Sequence, residues 1–399
     1  MTADSQNTRL VCKKAFAAIK SDGSVITWGD PDSGGDSSLV EDQLQDGVVQ
    51  VVGNYFAFAA VKSDGSAITW GVIGCGGDCS LVEDRLQEGV VQVVGNTAAF
   101  AAVKSDGSVI TWGHTGSGGN SSRVEDGLHV VGNAEALAAV KSDGSVTTWG
   151  HTGSGGNSSR VEDGLQEGVV QVVGNAEAFA AVKSDGSVIT WGGSGSGGDS
   201  SDVEDRLQEG VVQVVCNHLA FTAVKSDGSA ITWENSEFSG DSSDVEDRLQ
   251  EGVVQVVGNN SAFAAVKSNG SVITWGDSHE GGDSTLVEDQ LQEGVVQVVG
   301  NTRAFAAVAA VKSDGSVITW GDSGSGGDSS CDEDRLQEGV VQVIGSRVAF
   351  AAVKSDGSVI TWGVPSEGGD TFHVQDQLQE GVVQVVGNVY AFAAVKSHC

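Results

Sequence analysis

A chain of 399 residues with 54 acidic against 21 basic side chains carries a net charge of −33, which repels phosphate backbones and anionic headgroups and makes nucleic acid and membrane surfaces poor partners. Aromatic residues are 6% of the chain and Gly contributes 58 residues, so the apolar mass lies in Val and Ala, which suits thin, closely stacked strands better than bulky helical cores. No uninterrupted apolar run reaches the roughly 18 residues of a membrane span, and residues 1–14 lack the apolar core of a leader peptide, so an intracellular protein, cytoplasmic or nuclear, is expected.

Residues 1–14 read as an N-terminal segment. From residue 15 a unit of about 42 residues recurs to residue 399, the last copy being partial. Trp28, Trp70, Trp112, Trp149, Trp191, Trp233, Trp275, Trp320 and Trp362 mark the period, at spacings of 42, 42, 37, 42, 42, 42, 45 and 42. Five residues are missing before Trp149, where Leu128-His129-Val130 replaces a stretch like residues 165–172, and three are added before Trp320, in the stutter at 306–311. The missing residues are expected to shorten one strand and leave its neighbours under-covered. Units of this size lie near the limit of about 40 residues below which a lone core fails. Residues 15–399 are therefore expected to form one repeat domain in which neighbours cover each other.

Within a unit, Val48-Val49-Gln50-Val51-Val52 is rich in β-branched residues, is bounded by Gly53-Asn54, and is too short for a helix, so it predicts a strand. Ala57-Phe58-Ala59-Ala60-Val61-Lys62 and Ala67-Ile68-Thr69-Trp70 then flank Ser63-Asp64-Gly65-Ser66, and Asp-Gly favours a type I′ hairpin turn. The turn glycine recurs as Gly23, Gly65, Gly107, Gly144, Gly186, Gly228, Gly270, Gly315 and Gly357, with Asn269 as the single variant before it. Ten of the 12 lysines sit just before this turn and belong to the repeat rather than to a basic patch. Phe58 and Ala60 fall on one side of the hairpin, and Ala57, Ala59 and Val61 on the other, so both faces need cover and the tryptophans are expected to pack between units.

A Gly/Ser/Asp loop such as residues 193–201 follows, and then a segment such as residues 38–47. There Ser38 with Glu41 matches a capping box, Gly47 suits a C-terminal cap, and Val40 and Leu44 share one face of a short helix. A fourth, outer strand competes with that helix. The fold class expected is all-β with minor α content, a β-propeller of about nine short units; the alternative is an open β-rich solenoid with a short helix per repeat.

The segment Val90-Val91-Gln92-Val93-Val94-Gly95-Asn96, with Ala99-Phe100-Ala101-Ala102 and Asp106-Gly107-Ser108-Val109-Ile110-Thr111-Trp112-Gly113, resembles the repeat of the regulator of chromosome condensation superfamily. The resemblance covers essentially the whole chain, and the Asp-Gly to Trp-Gly spacing is its specific part. It implies a propeller and, among the family's roles, nucleotide exchange on a small GTPase, service as a ubiquitin-ligase module, or ultraviolet-B photoreception. This chain differs in reading Gly-Gly-Asp-Ser-Ser at residues 197–201 where the family has Gly-Gln-Leu-Gly, in lacking the His before the second hairpin strand, in counting nine units, and in lacking the photoreceptor's tryptophan clusters.

A near-perfect repeat supplies no asymmetric catalytic constellation, so no enzyme is expected. His114 and His151 lie in a copied stretch; His129, His218, His279, His373 and His398 share no spacing. Cys75 and Cys79 flank Gly-Gly-Asp with no second pair or nearby His to complete a zinc site, and six scattered cysteines, Cys12 and Cys399 among them, fit a reducing compartment. No Gly-Lys-Ser/Thr follows a strand. The recurring Val-Glu-Asp beside Gly-Gly-Asp raises calcium as an alternative to a plain acidic rim, although the spaced Asp pattern of an EF-hand is absent. The function expected is therefore a cofactor-free scaffold binding a protein with a basic surface through acidic Gly/Ser/Asp loops. A regulator of a small GTPase and a calcium-binding acidic array are the alternatives, and the oligomeric state is left open.

Overall fold

Val48–Gly53, Ala57–Lys62 and Ala67–Gly71 form an antiparallel sheet in that order. The computed structural model describes residues 15–20, 22–120, 127–233, 240–301, 309–312, 315–387 and 392–396; the N-terminal segment lies outside them. Among the described residues this unit gives eight three-stranded sheets and two two-stranded ones, so the fold is an all-β repeat. The chain divides into two compact units, Met1–Ser159 and Arg160–Cys399.

The period-two alternation of a strand decides what each sheet offers its neighbour. Phe58 pairs with Trp70 and Ala60 with Ile68, which makes an aromatic face, while Val61 pairs with Ala67 and Ala59 with Thr69 on the other side. Phe58 and Trp70 stack at 5.3 Å between ring centroids and 18° between planes. This aromatic face packs on Ala15, Ala17 and Val25 of the preceding sheet. In the same way Phe100, Ala102, Ile110 and Trp112 pack on Ala57, Ala59, Val61 and Ala67, and in the second unit Phe221, Ala223, Ile231 and Trp233 pack on Ala178, Ala180, Val182 and Val188.

The hairpin forms, with a different turn. Gly65 N–H donates to the Lys62 carbonyl at 2.9 Å and Lys62 N–H to Ser66 at 2.9 Å, so Ser63 and Asp64 are the central pair and Gly65, at φ +81°, follows them as a bulge. Type I′ would place Asp64 and Gly65 at the centre; here Asp64 Oδ1 instead accepts from Ser66 N–H at 2.9 Å and Ser66 Oγ at 2.7 Å. Gly65 also touches the next repeat: a Cβ there would lie 2.6 Å from Gly89 N, and its carbonyl accepts from Val90 N–H at 2.8 Å.

The segment after the hairpin is neither a strand nor, in general, an α-helix. It runs back along the last strand as 3-10 turns, Ile73–Cys75 and Glu83–Arg85 in one repeat and Ser38–Leu44 in another; the exception is one α-helical turn, Glu333–Leu336. Ala67 N–H donates to the Leu86 carbonyl at 2.8 Å, so the segment covers the sheet edge where a fourth strand would lie. Leu44 is buried, and Val40 packs on the same core. The Ser38 and Glu41 capping box does not form: Ser37 is the N-cap without a side-chain cap bond, its hydroxyl bonds Thr27 Oγ1 at 2.9 Å, and Ser38 N–H is held by Asp36 Oδ1. Gly47, at φ +69°, stands two residues beyond the actual cap, Gln45.

Asn after the first strand pins the repeat from within, with Ser346 taking its place in one repeat. Asn175 Oδ1 accepts from Glu177 N–H at 3.1 Å and Ala178 N–H at 2.8 Å, and its Nδ2 donates to the Ser196 carbonyl at 2.6 Å. In the short repeat the strand is not shortened: Gly127–Gly132 spans six residues, as Val169–Gly174 does. What is lost lies beneath it. Gly127 pairs with Lys141 where Val169 pairs with Lys183, so the buried Val169 has no counterpart at that place among the described residues. The added residues before Trp320 leave the pairing of Val295 with Lys312 in place; residues 306–308 of the stutter lie outside the described residues.

Two stability measurements check this packing. Asn175→Ala leaves buried amide and carbonyl groups unpaired and is expected to destabilise Arg160–Cys399 by about 1–3 kcal/mol per group left without a partner, read as a lower denaturant midpoint; an unchanged midpoint would remove the pin from the account. Inserting Gln-Glu-Gly-Val-Val between Leu128 and His129 supplies a Val at the place of the buried Val169, worth about 1.5–3 kcal/mol, and is expected to raise the Tm of Met1–Ser159 by about 2–4 °C per kcal/mol gained. A flat or lowered Tm counts against the packing deficit.

Candidate interaction surface

The repeat carries its acidic residues on one covering segment. Val-Glu-Asp falls in the 3-10 turns, where the Val packs inward and both carboxylates point out, as at Glu83 and Asp84, Glu204 and Asp205, and Glu288 and Asp289. The loop aspartates Asp36, Asp199, Asp241 and Asp328 each accept the N–H of the Ser two residues on, which holds their carboxyls below the usual range. Turn aspartates such as Asp64, Asp106 and Asp185 are lowered first by a Ser hydroxyl and then by its N–H.

The repeated lysine turns inward to this segment. Lys62 Nζ donates to the Gln43 carbonyl and to Asp46 Oδ1, both at 3.2 Å. Lys104, Lys225, Lys267 and Lys354 donate to the carbonyls of Arg85, Arg206, Arg248 and Arg335 at 3.0–3.1 Å. Those carbonyls lie at the ends of 3-10 turns or, for Arg335, of the α-helical turn, where a cation is favourable.

Of the tryptophans, Trp70, Trp112, Trp191, Trp233, Trp275, Trp320 and Trp362 are buried, Trp149 over the short repeat is half-buried, and Trp28 in the first described hairpin is 41% exposed. The indole N–H of Trp70 donates to the Gly34 carbonyl at 3.0 Å, and that of Trp233 to Gly197 at 3.0 Å, each reaching the Gly-rich loop of the preceding repeat. The loop lies over the ring pair so closely that a Cβ on Gly34 would sit 2.8 Å from Phe58 Cδ2. All nine turn glycines have positive φ, and Gly186, Gly228, Gly270, Gly315 and Gly357 accept from the first strand of the next repeat as Gly65 does.

His114 and His151 occupy equivalent places, Nδ1 within 3.3 and 3.2 Å of Ser117 and Ser154 Oγ; the other described histidines are exposed. His398, Cys12 and Cys399 lie outside the described residues. Cys75 and Cys79 are half-buried thiols raised by burial, and burial pushes Cys216 up to about 12. Among the described residues no group of three His, Cys, Asp or Glu side chains is placed to hold a metal ion, and no helix is long and apolar enough to cross a membrane.

No protein-family model matches the sequence, and no curated protein matches it. Solved structures do. Prp20p of Saccharomyces cerevisiae, the yeast RCC1, is 14% identical, with 67% of this chain and 81% of that one covered and a TM-score of 0.38. Human WBSCR16 is 15% identical over 94% of this chain and 84% of its own, at a TM-score of 0.38. The CRINKLY WD40 ectodomain of the Arabidopsis thaliana receptor kinase ACR4 is 15% identical over 66% and 90%, at 0.35.

Sequence reasoning missed the Asn pin, although Asn follows Val-Val-Gly in most units, and missed Glu280. That residue stands where Ser196 and Ser325 stand in other repeats. Burial first, with Asp277 and Asp322 adding to it, raises its carboxyl against hydrogen bonds from Ser261 and Asn260, and Oε2 has no partner among the described residues. A raised folded-state pKa favours the native state below the ordinary carboxylate value and loses that advantage as pH rises through the folded value. Glu280→Gln is therefore expected to melt above the parent at neutral pH, with the gap closing on acidification; a gap independent of pH would exclude ionisation as its cause.

Proposed function

We propose that the chain is a non-catalytic repeat scaffold that binds a protein partner with a basic surface through its acidic loops and 3-10 segments. The observation that carries this reading is the fate of the cations. The repeated lysines spend their charge on backbone carbonyls of the same segment, while the paired carboxylates beside them face solvent in most of the described repeats. Of the ion pairs among the described residues, those formed by arginine are Arg206 with Glu246 and Arg335 with Asp332. The Ser donors that lower the loop and turn aspartates keep these charges on as pH falls. A field of one sign steers an oppositely charged protein and weakens with salt.

Affinity capture at low ionic strength, with the chain as bait, tests this. The captured partner is expected to be basic, to elute as salt is raised through about 0.15 M, and to be lost with Glu204→Gln, Asp205→Asn, Glu246→Gln, Asp247→Asn, Glu288→Gln and Asp289→Asn combined. Capture indifferent to both salt and neutralisation overturns the proposal.

A further inference from the structure

Val170, Val212, Val254, Val296, Val341 and Val383 are 58–64% exposed. Each is the extra residue of a bulge in the edge strand of its sheet. In Val169–Gly174, Val169 faces Lys183 and Gln171 faces Val182, which leaves Val170 without a cross-strand partner. The strands beginning at Val211, Val253, Val295, Val340 and Val382 repeat this register.

A bulge re-aims a side chain and protects an edge strand from pairing with another. Protection needs only the extra residue and would be served as well by a polar one. An apolar, β-branched side chain is held out in six successive repeats of Arg160–Cys399 and forgoes the burial that its type favours. Three residues before each valine stands an exposed glutamate: Glu167, Glu209, Glu251, Glu293, Glu338 and Glu380. None of the six is ion-paired among the described residues.

We propose that this row of valines and glutamates is a docking track for one occupant, a segment of a protein partner in which lysine or arginine alternates with apolar side chains. The carboxylates supply the complementary charge, and the valines supply contacts that exclude water from it. Recurrence at every repeat lets weak contacts add through effective concentration. The proposal rests on the acidic-scaffold reading and narrows it to one edge of each sheet.

Two fluorescent peptides of equal length and charge test it on the full chain: one alternating lysine with leucine, one alternating lysine with serine. The lysine–leucine peptide is expected to bind at least about tenfold more tightly. Converting the six bulge valines to threonine, which keeps the β-branched shape, is expected to abolish that advantage and leave lysine–serine binding unchanged. Equal affinity of the two peptides for the unaltered chain, or an advantage that survives the threonine variant, overturns the track while leaving the acidic scaffold standing. Failure of both peptides to bind at low salt overturns the scaffold and the track together.

Discussion

The structure depends on one contact: an aromatic pair lies on the alanine face of the repeat before it, as Phe58 and Trp70 do in Met1–Ser159 and Phe221 and Trp233 in Arg160–Cys399. Phe221 and Trp233, stacked at 5.6 Å, share a core with Ala178 and Ala180, and both alanines are fully buried. A larger residue at either alanine would meet the rings, and overfilling of this kind costs about 1–3 kcal/mol. The glycine-rich loop is subject to the same constraint, since it crosses the ring pair at a distance that leaves no room for a Cβ at Gly34. A chain with few aromatics and 58 glycines therefore builds a dense core, because each ring meets a surface with almost no side chain on it.

Polar groups fix the register that this stacking needs. Van der Waals contact between an aromatic and an alanine face tolerates sliding, whereas directed bonds do not. The indole N–H of Trp112, of Trp233 and of Trp362 finds the carbonyl of the preceding loop, the turn glycine accepts from the next first strand, and Asn ties the start of the middle strand to the loop ahead of it. Lysine completes the set by holding the end of the 3-10 turn. Using the cations in this way has an electrostatic consequence, because few of the exposed carboxylates meet a cation among the described residues and the surface carries the net charge of the chain.

The hairpins, the first strand and the stacking were legible because each rests on a local signal repeated many times: Asp-Gly before Ser, alternation around Phe58, a Val run ended by Gly53. The turn type was not legible, since the choice between Asp64-Gly65 and Ser63-Asp64 as its centre is made by the bond from Ser66 to Asp64 and by the fit of Gly65 against Gly89. The segment at residues 38–44 had helical spacing but runs along a sheet edge, and hydroxyl bonds such as Thr27 to Ser37 draw its first residues into 3-10 geometry instead of a cap. Of the candidate surface, the acidic character was legible from composition. The exposure of Val170 and its equivalents was not, because Val-Val-Gln-Val-Val gives no sign of which valine the bulge turns out.

Uniformity also sets where the array is weakest. A contact repeated along the chain leaves its failures visible as local departures: Trp149 half-buried over the short repeat, Trp28 exposed in the first described hairpin, and Glu280 half-buried where Ser196 and Ser325 stand in other repeats. In a stacked array each sheet contacts only its neighbours, so such a defect is felt by one interface and not averaged over a common core. The same locality governs the surface. A carboxylate or a bulge valine acts alone in its own repeat, and only recurrence at the same register turns single weak contacts into a continuous binding edge.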